Sequence, residues 1–165
     1  MEFLDVVDEN DQVVGKASKH TVYKKLLPHR IIHIFIFNKK GQMALQLRSK
    51  NVSFCPNHWS SAVGGYVRSG ENYEEAALRE CIEELGIRTQ LIYLSKEIYR
   101  LENGLIKILV IFKALFDGPF DIDHKEVEKV EFLSLRKIKK MMKMGEKFHP
   151  ELKFLLEKHR SYFPF

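Results

Sequence analysis

The spacing of apolar residues along the chain predicts a mixture of strands and helices. Apolar runs rich in β-branched and aromatic residues predict strands near residues 3–7, 13–17, 31–37, 42–48, 91–99, 105–116 and 130–133. Helical spacing predicts helices near residues 18–27, 73–85, 135–144 and 150–158. Residues 31–37 and 42–48 are expected to form a hairpin. Strands around a central helix indicate one layered α/β domain over residues 1–165.

The helix predicted at 73–85 has clear signals at both ends. Asn72, followed by Glu75 three residues later, resembles a capping box, and Gly86 is a typical helix stop. On a helical wheel, three carboxylates fall on one arc, and an apolar set falls on the opposite side and is expected to face the core. The carboxylates are Glu80, Glu83 and Glu84, and the apolar set is Leu78, Cys81, Ile82 and Leu85.

Three clustered carboxylates repel one another, which suggests a function beyond solvation. Hard divalent cations such as Mg²⁺ prefer oxygen ligands and offset such repulsion. The same cluster can raise the pKa of one carboxylate or activate a metal-bound water. Taken alone, however, a helix with several glutamates is also typical of an ordinary solvated helix.

The residues around this cluster follow a fixed spacing. Gly65 is followed after five residues by Glu71, and Glu71 after seven residues by Arg79-Glu80-Cys81-Ile82-Glu83-Glu84-Leu85-Gly86-Ile87. A chance match to all of these positions has a probability on the order of 10⁻⁶. The segment resembles the Nudix box of the Nudix hydrolase superfamily at every fixed position.

The resemblance implies a Nudix-like α/β/α sandwich, with a mixed β-sheet and a loop–helix–loop that binds a divalent metal against a diphosphate. It implies Mg²⁺, which Mn²⁺ can replace, as the cofactor. The implied metal ligands are the carboxylates of Glu80, Glu83 and Glu84 and the backbone carbonyl of Gly64. Glu80 is also a candidate base for the attacking water. Arg79 and Glu71 are implied to orient these carboxylates, and Gly65 and Gly86 are fixed positions of the motif.

Residues outside the box resemble the Nudix branch that contains isopentenyl diphosphate isomerases and similar hydrolases. The isomerases use a Cys just before the box and a His two residues further on. The aligned segment here, residues 61–66, has neither, so the resemblance favours a hydrolase over an isomerase. His29 matches an isomerase metal-ligand position, but for His29 and His33 we expect structural roles. A catalytically silent nucleotide- or RNA-binding domain is a further alternative.

Four more side chains have a functional and a structural interpretation. Arg48 follows a strand and could hold a phosphate through two hydrogen bonds, or form a surface salt bridge. Glu126 could be a distal metal ligand or base, or a solvated charge. Trp59 and Phe54 could contact the substrate, but aromatic residues in such loops are more often packing. The predicted reaction is hydrolysis of a phosphoanhydride bond in a nucleoside diphosphate linked to another moiety, or in a similar organic diphosphate.

Composition and charge add limits on location and partners. The longest apolar run, residues 108–112, is too short to cross a membrane, and the acidic N-terminus does not resemble a secretory signal. Two cysteines indicate no disulfide framework and fit a cytoplasmic protein. The net charge is +5, with a basic stretch at residues 136–147 that is interpreted as the solvated face of a helix. We expect a small diphosphate as partner, no membrane and no nucleic acid, with a homodimer left open.

Overall fold

The computed structural model describes residues 1–160, and the last five residues of the predicted domain, 161–165, lie outside the described residues. Nine strands and four helices follow one another along these residues. In chain order they are β1 (Phe3–Val7), β2 (Val13–Ser18), α1 (Lys19–Lys24), β3 (His29–Phe37), β4 (Met43–Arg48), β5 (Trp59–Ser61), β6 (Val63–Tyr66), α2 (Tyr73–Leu85), β7 (Ile92–Arg100), β8 (Ile106–Leu115), β9 (Val127–Leu133), α3 (Leu135–Lys143) and α4 (Pro150–Lys158).

Most element boundaries agree with the sequence pattern, with two informative differences. Helix α1 is shorter than predicted, because Leu26 adopts a left-handed backbone conformation with φ of 53° shortly before Pro28. Strand β9 begins three residues earlier than predicted, at Val127. The charged residues at its start do not fit an apolar strand pattern, because among residues 1–160 β9 pairs only with β4 and exposes part of its length.

The central sheet is mixed and splits around β3. This strand pairs in parallel with β8 along its whole length and antiparallel with β6. The predicted β3–β4 hairpin is present, but the two strands pair only at Phe37 and Met43 and then diverge. Strand β5 pairs with β4 and β6 with β3, so the short β5–β6 segment fills the gap between the diverging strands.

Helices cover both faces of this sheet, which confirms the α/β/α sandwich. Alternate residues of β3 and β8 point to opposite faces, as strand geometry requires. One face packs against α3 and α4 and the other against α2. The first core contains Phe35, Leu109, Ile111, Ile138, Leu152 and Leu155, and the second contains Ile34, Val110, Ala77, Cys81 and Leu85.

Two further expectations from the sequence agree with this arrangement. The basic stretch lies on and after α3, whose Ile138 and Met141 are buried on the side opposite its exposed lysines, as predicted. Cys55 and Cys81 are both free thiols. None of the helices within residues 1–160 has the length and apolarity needed to cross a membrane.

Asp11 joins four elements through its carboxylate. It lies in the β1–β2 turn with φ of 62°. Its oxygens accept hydrogen bonds from Arg30 Nε on β3 at 2.6 Å, from the Tyr73 hydroxyl on α2 at 2.9 Å and from Lys96 on β7. Burial raises the pKa of Asp11, but these hydrogen bonds outweigh burial and lower it overall.

We therefore expect Asp11→Ala to lower the free energy of unfolding by about 2 kcal/mol, because Arg30 loses its partner in a partly buried network and Ala disfavours the left-handed conformation. Urea denaturation measures the change. Glu9→Ala is the matched control, because Glu9 pairs with Arg100 on the exposed surface and should leave the midpoint unchanged. Equal midpoints for Asp11→Ala and the control would contradict this role.

Candidate active site

The box residues form the end of β6, a loop and α2. The predicted capping box is present, since the Asn72 side chain accepts from the Glu75 backbone N–H and the Glu75 side chain accepts from the Asn72 backbone N–H. Gly86 ends α2 in the left-handed conformation, with φ of 63°. The short loop and the two defined helix ends fix α2 relative to the sheet.

The buried face of α2 differs from the prediction. Leu78 and Ile82 are exposed, at 36% and 40%, whereas Glu80 and Glu84 are each only 9% exposed. The helix packs its small residues, Ala76, Ala77 and Cys81, against the sheet. The close approach that these small residues allow places Glu80 and Glu84 between helix and sheet, so the expected outward orientation of all three carboxylates is wrong. Of the three carboxylates, only that of Glu83 is about half exposed.

Arg79 organises the carboxylates around it. Its Nε and Nη2 donate to the two oxygens of Glu71 at 2.6 and 2.9 Å, and Nη2 also donates to the Tyr66 carbonyl at 2.9 Å. Its Nη1 donates to Glu80 Oε1 at 2.6 Å and to Glu83 Oε2 at 3.2 Å. Hydrogen bonding to Arg79 lowers the pKa of Glu71. The guanidinium thus connects the loop to two box carboxylates through its fixed fork of donors.

Glu84 is the most perturbed carboxylate of the group. Its Oε2 accepts from Gln46 Nε2 at 2.7 Å, and Gln46 Nε2 also donates to the Ala62 carbonyl. Burial, followed by the nearby charge of Glu80, raises the pKa of Glu84 to about 8. Burial also raises the pKa of Glu80, although Arg79 opposes the shift. Both shifts reflect negative charge confined in a poorly solvated place, which is the setting in which a cation binds.

Gly65 is required by the close packing of α2 on β6. A Cβ atom at this position would collide with the carboxyl group and Cγ of Glu80. A Cβ at Gly15 in β2, by contrast, would make only an ordinary contact at 3.8 Å with Val6. The glycine of the motif therefore leaves room for the Glu80 side chain rather than serving a turn.

We expect Gly65→Ala to lower the free energy of unfolding by about 1–3 kcal/mol, the range for an overpacked site, and to reduce activity by displacing Glu80. Thermal unfolding and phosphate release measure the two effects, with Gly15→Ala as a matched control that changes neither. An active, fully stable Gly65→Ala protein would show that Glu80 has another position available.

A cavity of about 1020 Å³ is lined by most of the predicted site residues. They are Gly64, Gly65, Glu80, Glu83, Glu84, Arg48 and Glu126, with Phe54 from the preceding loop. Arg48 Nε donates to the Phe54 carbonyl at 3.1 Å, and Arg48 forms no salt bridge within residues 1–160, so the alternative of a surface ion pair is not observed. The backbone carbonyl of Glu126 accepts from Ser49, which holds this loop beside the end of β4.

Trp59 does not line this cavity. The indole is 7% exposed and belongs to the core beneath α3 and α4. Its Nε1 donates to Glu146 at 3.1 Å, and Lys129 lies over its ring. The structure therefore places Trp59 in packing, since β5 turns it toward the helical layer and away from the box.

The oxygen donors of the box carboxylates fit a hard divalent cation. Glu80 Oε2 and Glu84 Oε1 make no hydrogen bond within residues 1–160, so each carboxylate keeps one oxygen for a ligand. In the described part of the chain, no three His, Cys, Asp or Glu side chains converge as a coordination sphere. Arg79 Nη1 donates to Glu80 Oε1 and Glu83 Oε2, so these two oxygens already have a partner.

The cavity also contains residues that the sequence did not identify. His33, expected to be structural, hydrogen bonds to Glu151 and Ser61. Lys107, Glu151 and His149 also line the cavity. A lysine inside the apolar β8 was the one available signal for this group. Glu151 offered none, because an acidic residue in the first turn of a helix is ordinary. His29 is buried, and its Nδ1 bonds to the Leu27 carbonyl, consistent with a structural role.

Comparisons with known proteins agree with the fold and the motif. The model of the NUDIX domain matches residues 27–155. An uncharacterized Nudix hydrolase of Listeria monocytogenes is 33% identical over 150 residues, which is 88% of each chain. Isopentenyl-diphosphate Delta-isomerase 2 of Photorhabdus laumondii is 33% identical over 147 residues, covering 86% of this chain and 82% of that protein.

A solved structure extends the agreement to three dimensions. The crystal structure of DR0079 from Deinococcus radiodurans superposes with a TM-score of 0.82 at 26% identity, over 95% of this chain and 98% of that one. The family match, the relatives and the sandwich around the box helix lead to one conclusion. The chain belongs to the Nudix hydrolase family.

Proposed function

We propose that the protein hydrolyses a phosphoanhydride bond in an organic diphosphate, with a nucleoside diphosphate linked to another moiety as the leading substrate class. One observation carries this proposal. The three box carboxylates, Glu126 and Arg48 line one cavity, which is large enough for such a ligand. Carboxylates that hold a cation, a guanidinium that binds phosphate oxygens and an acidic side chain near water are what the reaction needs.

Each of these residues has its own role in the proposed reaction. Glu80, Glu83 and Glu84, with the Gly64 carbonyl, would hold Mg²⁺, or Mn²⁺ in its place. When bound, the ion polarises the phosphoryl oxygens and offsets their developing negative charge. Arg79 keeps Glu80 and Glu83 in position.

The bond changes follow from this arrangement. A carboxylate, Glu80 or Glu126, accepts a proton from water as the water oxygen bonds to phosphorus. The bridging oxygen then leaves with the second phosphate group. Arg48, at the cavity wall, donates hydrogen bonds to the diphosphate oxygens.

The test is a phosphate-release screen of purified protein against nucleotide and non-nucleotide diphosphates, each with Mg²⁺, Mn²⁺ or EDTA. We expect turnover of at least one organic diphosphate that stops in EDTA. Turnover that continues in EDTA would refute the metal assignment, and absence of turnover on every compound would refute the hydrolase.

The isomerase is the second candidate, and the relative from Photorhabdus laumondii is the observation that favours it. Against it, the aligned segment at the start of the box, residues 61–66, contains neither the Cys nor the His that the isomerases use. No cysteine among residues 1–160 lines the cavity. Incubation with isopentenyl diphosphate, followed by analysis for dimethylallyl diphosphate, separates the two. We expect no isomer.

A further inference from the structure

Gln46 is a polar side chain in the apolar core that α2 forms with the sheet. It lies on β4 and is only 2% exposed. Alternate residues of a strand share a face, so Gln46 points to the same side as Ala44, which belongs to the core against α2. It is not among the side chains within residues 1–160 that line the cavity. Gln46 therefore acts on a ligand in the cavity only through a neighbouring residue.

The amide nitrogen of Gln46 donates both of its hydrogens, as a buried amide group must if it is not to lower stability. Nε2 donates to the Ala62 carbonyl at 3.1 Å and to Glu84 Oε2 at 2.7 Å. Because a carbonyl oxygen can only accept, the amide nitrogen rather than the amide oxygen must face Ala62. The second hydrogen of the same nitrogen is then directed to Glu84. The two acceptors thus fix the orientation of the amide.

These two hydrogen bonds join parts of the molecule that carry different proposed ligands. Ala62 forms the bend between β5 and β6, two residues before Gly64, whose carbonyl is a proposed metal ligand. Glu84 lies on α2. Gln46 itself is held in the sheet, because β4 pairs here with both β5 and β9. One side chain of a paired strand thus sets the distance between the Gly64 segment and the Glu84 carboxylate.

The contact with Gln46 also distinguishes the two oxygens of Glu84. Oε2 is held by Gln46, and Oε1 bonds to no group within residues 1–160. Glu80 shows the same division, since Arg79 holds its Oε1 and leaves its Oε2. Arg79 belongs to the motif, whereas Gln46 lies 38 residues before Glu84, outside it. A carboxylate with one fixed oxygen presents the other in a defined direction, which favours metal binding.

We propose that Gln46 is a positioning residue of the metal site, which holds the Glu84 carboxylate in its ligating orientation beside the Gly64 segment. The inference rests on the proposed function, because that function places the metal ion on Glu84. Without the amide, the carboxylate is free to rotate, and metal binding has to restore its orientation at the expense of affinity. A purely structural contribution of Gln46 would lower the free energy of unfolding and leave the metal affinity unchanged.

The first test measures Mn²⁺ binding without substrate, from the electron paramagnetic resonance signal of free Mn²⁺. Gln46→Met keeps the length of the side chain and removes both hydrogen bonds. We expect its dissociation constant for Mn²⁺ to be about tenfold or more above that of the wild-type protein. Leu45→Val is the matched control, because Leu45 is the adjacent residue of β4 and packs in the core on the opposite face. It should lower the unfolding temperature and keep the wild-type affinity.

The second test uses the wild-type protein, so that it does not depend on the folding of a variant. In nuclear magnetic resonance spectra of isotope-labelled protein, we expect the two side-chain amide hydrogens of Gln46 to exchange slowly with solvent. Their resonances should shift until the site is saturated with Mg²⁺, because the ion draws electron density from the carboxylate that accepts from Gln46. Gln42 is the control, since it precedes β4 and does not line the cavity. Its amide resonances should stay in place.

Unchanged Mn²⁺ affinity in a folded Gln46→Met protein, or an equal loss of affinity in Leu45→Val, would overturn the inference. So would Gln46 amide resonances that exchange rapidly or do not respond to Mg²⁺. Phosphate release tests the proposed function separately. Weakened Mn²⁺ binding in the variant without turnover by the wild-type protein would refute only the hydrolase. Turnover by the wild-type protein with equal affinities would refute only the role of Gln46, and a wild-type protein that binds no Mn²⁺ would overturn both.

Discussion

We expect Glu84→Gln to abolish metal-dependent phosphate release, with kcat reduced by about 100-fold or more, while the protein remains folded. The amide keeps the size of the side chain and can still meet Gln46, but it is a poor ligand for a hard cation. Because Glu84 is buried beside the charge of Glu80, the neutral side chain also removes a repulsion. Steady-state phosphate release and thermal unfolding measure the two effects.

Glu74→Gln provides the control on the same helix. Glu74 lies in the exposed first turn of α2 and does not line the cavity. We expect wild-type activity for this variant over the same range of Mg²⁺ concentration. Full activity of Glu84→Gln would remove Glu84 from the proposed metal ligands.

The pH dependence of the free energy of unfolding gives a second expected result for Glu84. In EDTA, its pKa of about 8 in the folded protein lies above the usual value of 4.5 that holds in the unfolded chain. Between these values the folded state keeps a proton that the unfolded state loses, so the free energy of unfolding falls as pH rises. The contribution is complete below the lower value and is lost as pH rises through the higher one. In EDTA, we therefore expect the unfolding temperature of Glu84→Gln to rise relative to that of wild type from about pH 5 to about pH 8. Parallel curves for the two proteins would contradict the shift.

Arg79→Lys is expected to lower both activity and stability. The wild-type guanidinium bridges Glu71, Glu80 and Glu83, and a single ammonium group cannot reach all three. Two buried or partly buried carboxylates would lose their partner, at a cost of about 3 kcal/mol. With Glu80 and Glu83 displaced, we expect kcat to fall by about 100-fold. Urea denaturation and phosphate release on the same samples report both losses.

Arg88→Lys serves as the control, because Arg88 is exposed just beyond the end of α2. We expect it to match wild type in both measurements. If Arg79→Lys kept full activity with lowered stability, Arg79 would support the fold without positioning the carboxylates.

The grouping of the box carboxylates was predictable from sequence because these residues are close together along the chain. A single helix with its preceding loop carries Glu71, Arg79 and the three box carboxylates, so fixed spacing predicts their proximity. The packed face of that helix was predicted wrongly, since large apolar side chains such as Leu78 were given more weight than alanines. Close approach to β6 selects small residues, and no periodicity of large residues reveals that approach.

The contacts of Glu151 with Lys107 and His33 were not predictable because they join distant parts of the chain. Lys107 and Glu151 are 44 residues apart and meet only when α4 packs on the sheet beside β8. Each residue has an ordinary local explanation, as a strand lysine and as an acidic residue at a helix start. The position of Trp59 depended on the same packing, because the helical layer covers it.

The pairing of β3 with β8 affects the order in which the protein folds during synthesis. Strand β3 has its longest partner in β8, which the ribosome makes more than seventy residues later, so the centre of the sheet cannot close early during synthesis. Helix α2 is therefore synthesised before the residues of β8 and α4 that line the cavity. Glu151 is made later still and can meet Lys107 only after α4 has left the ribosome. A chain interrupted before α4 would carry the box without Glu151 in the wall of the cavity.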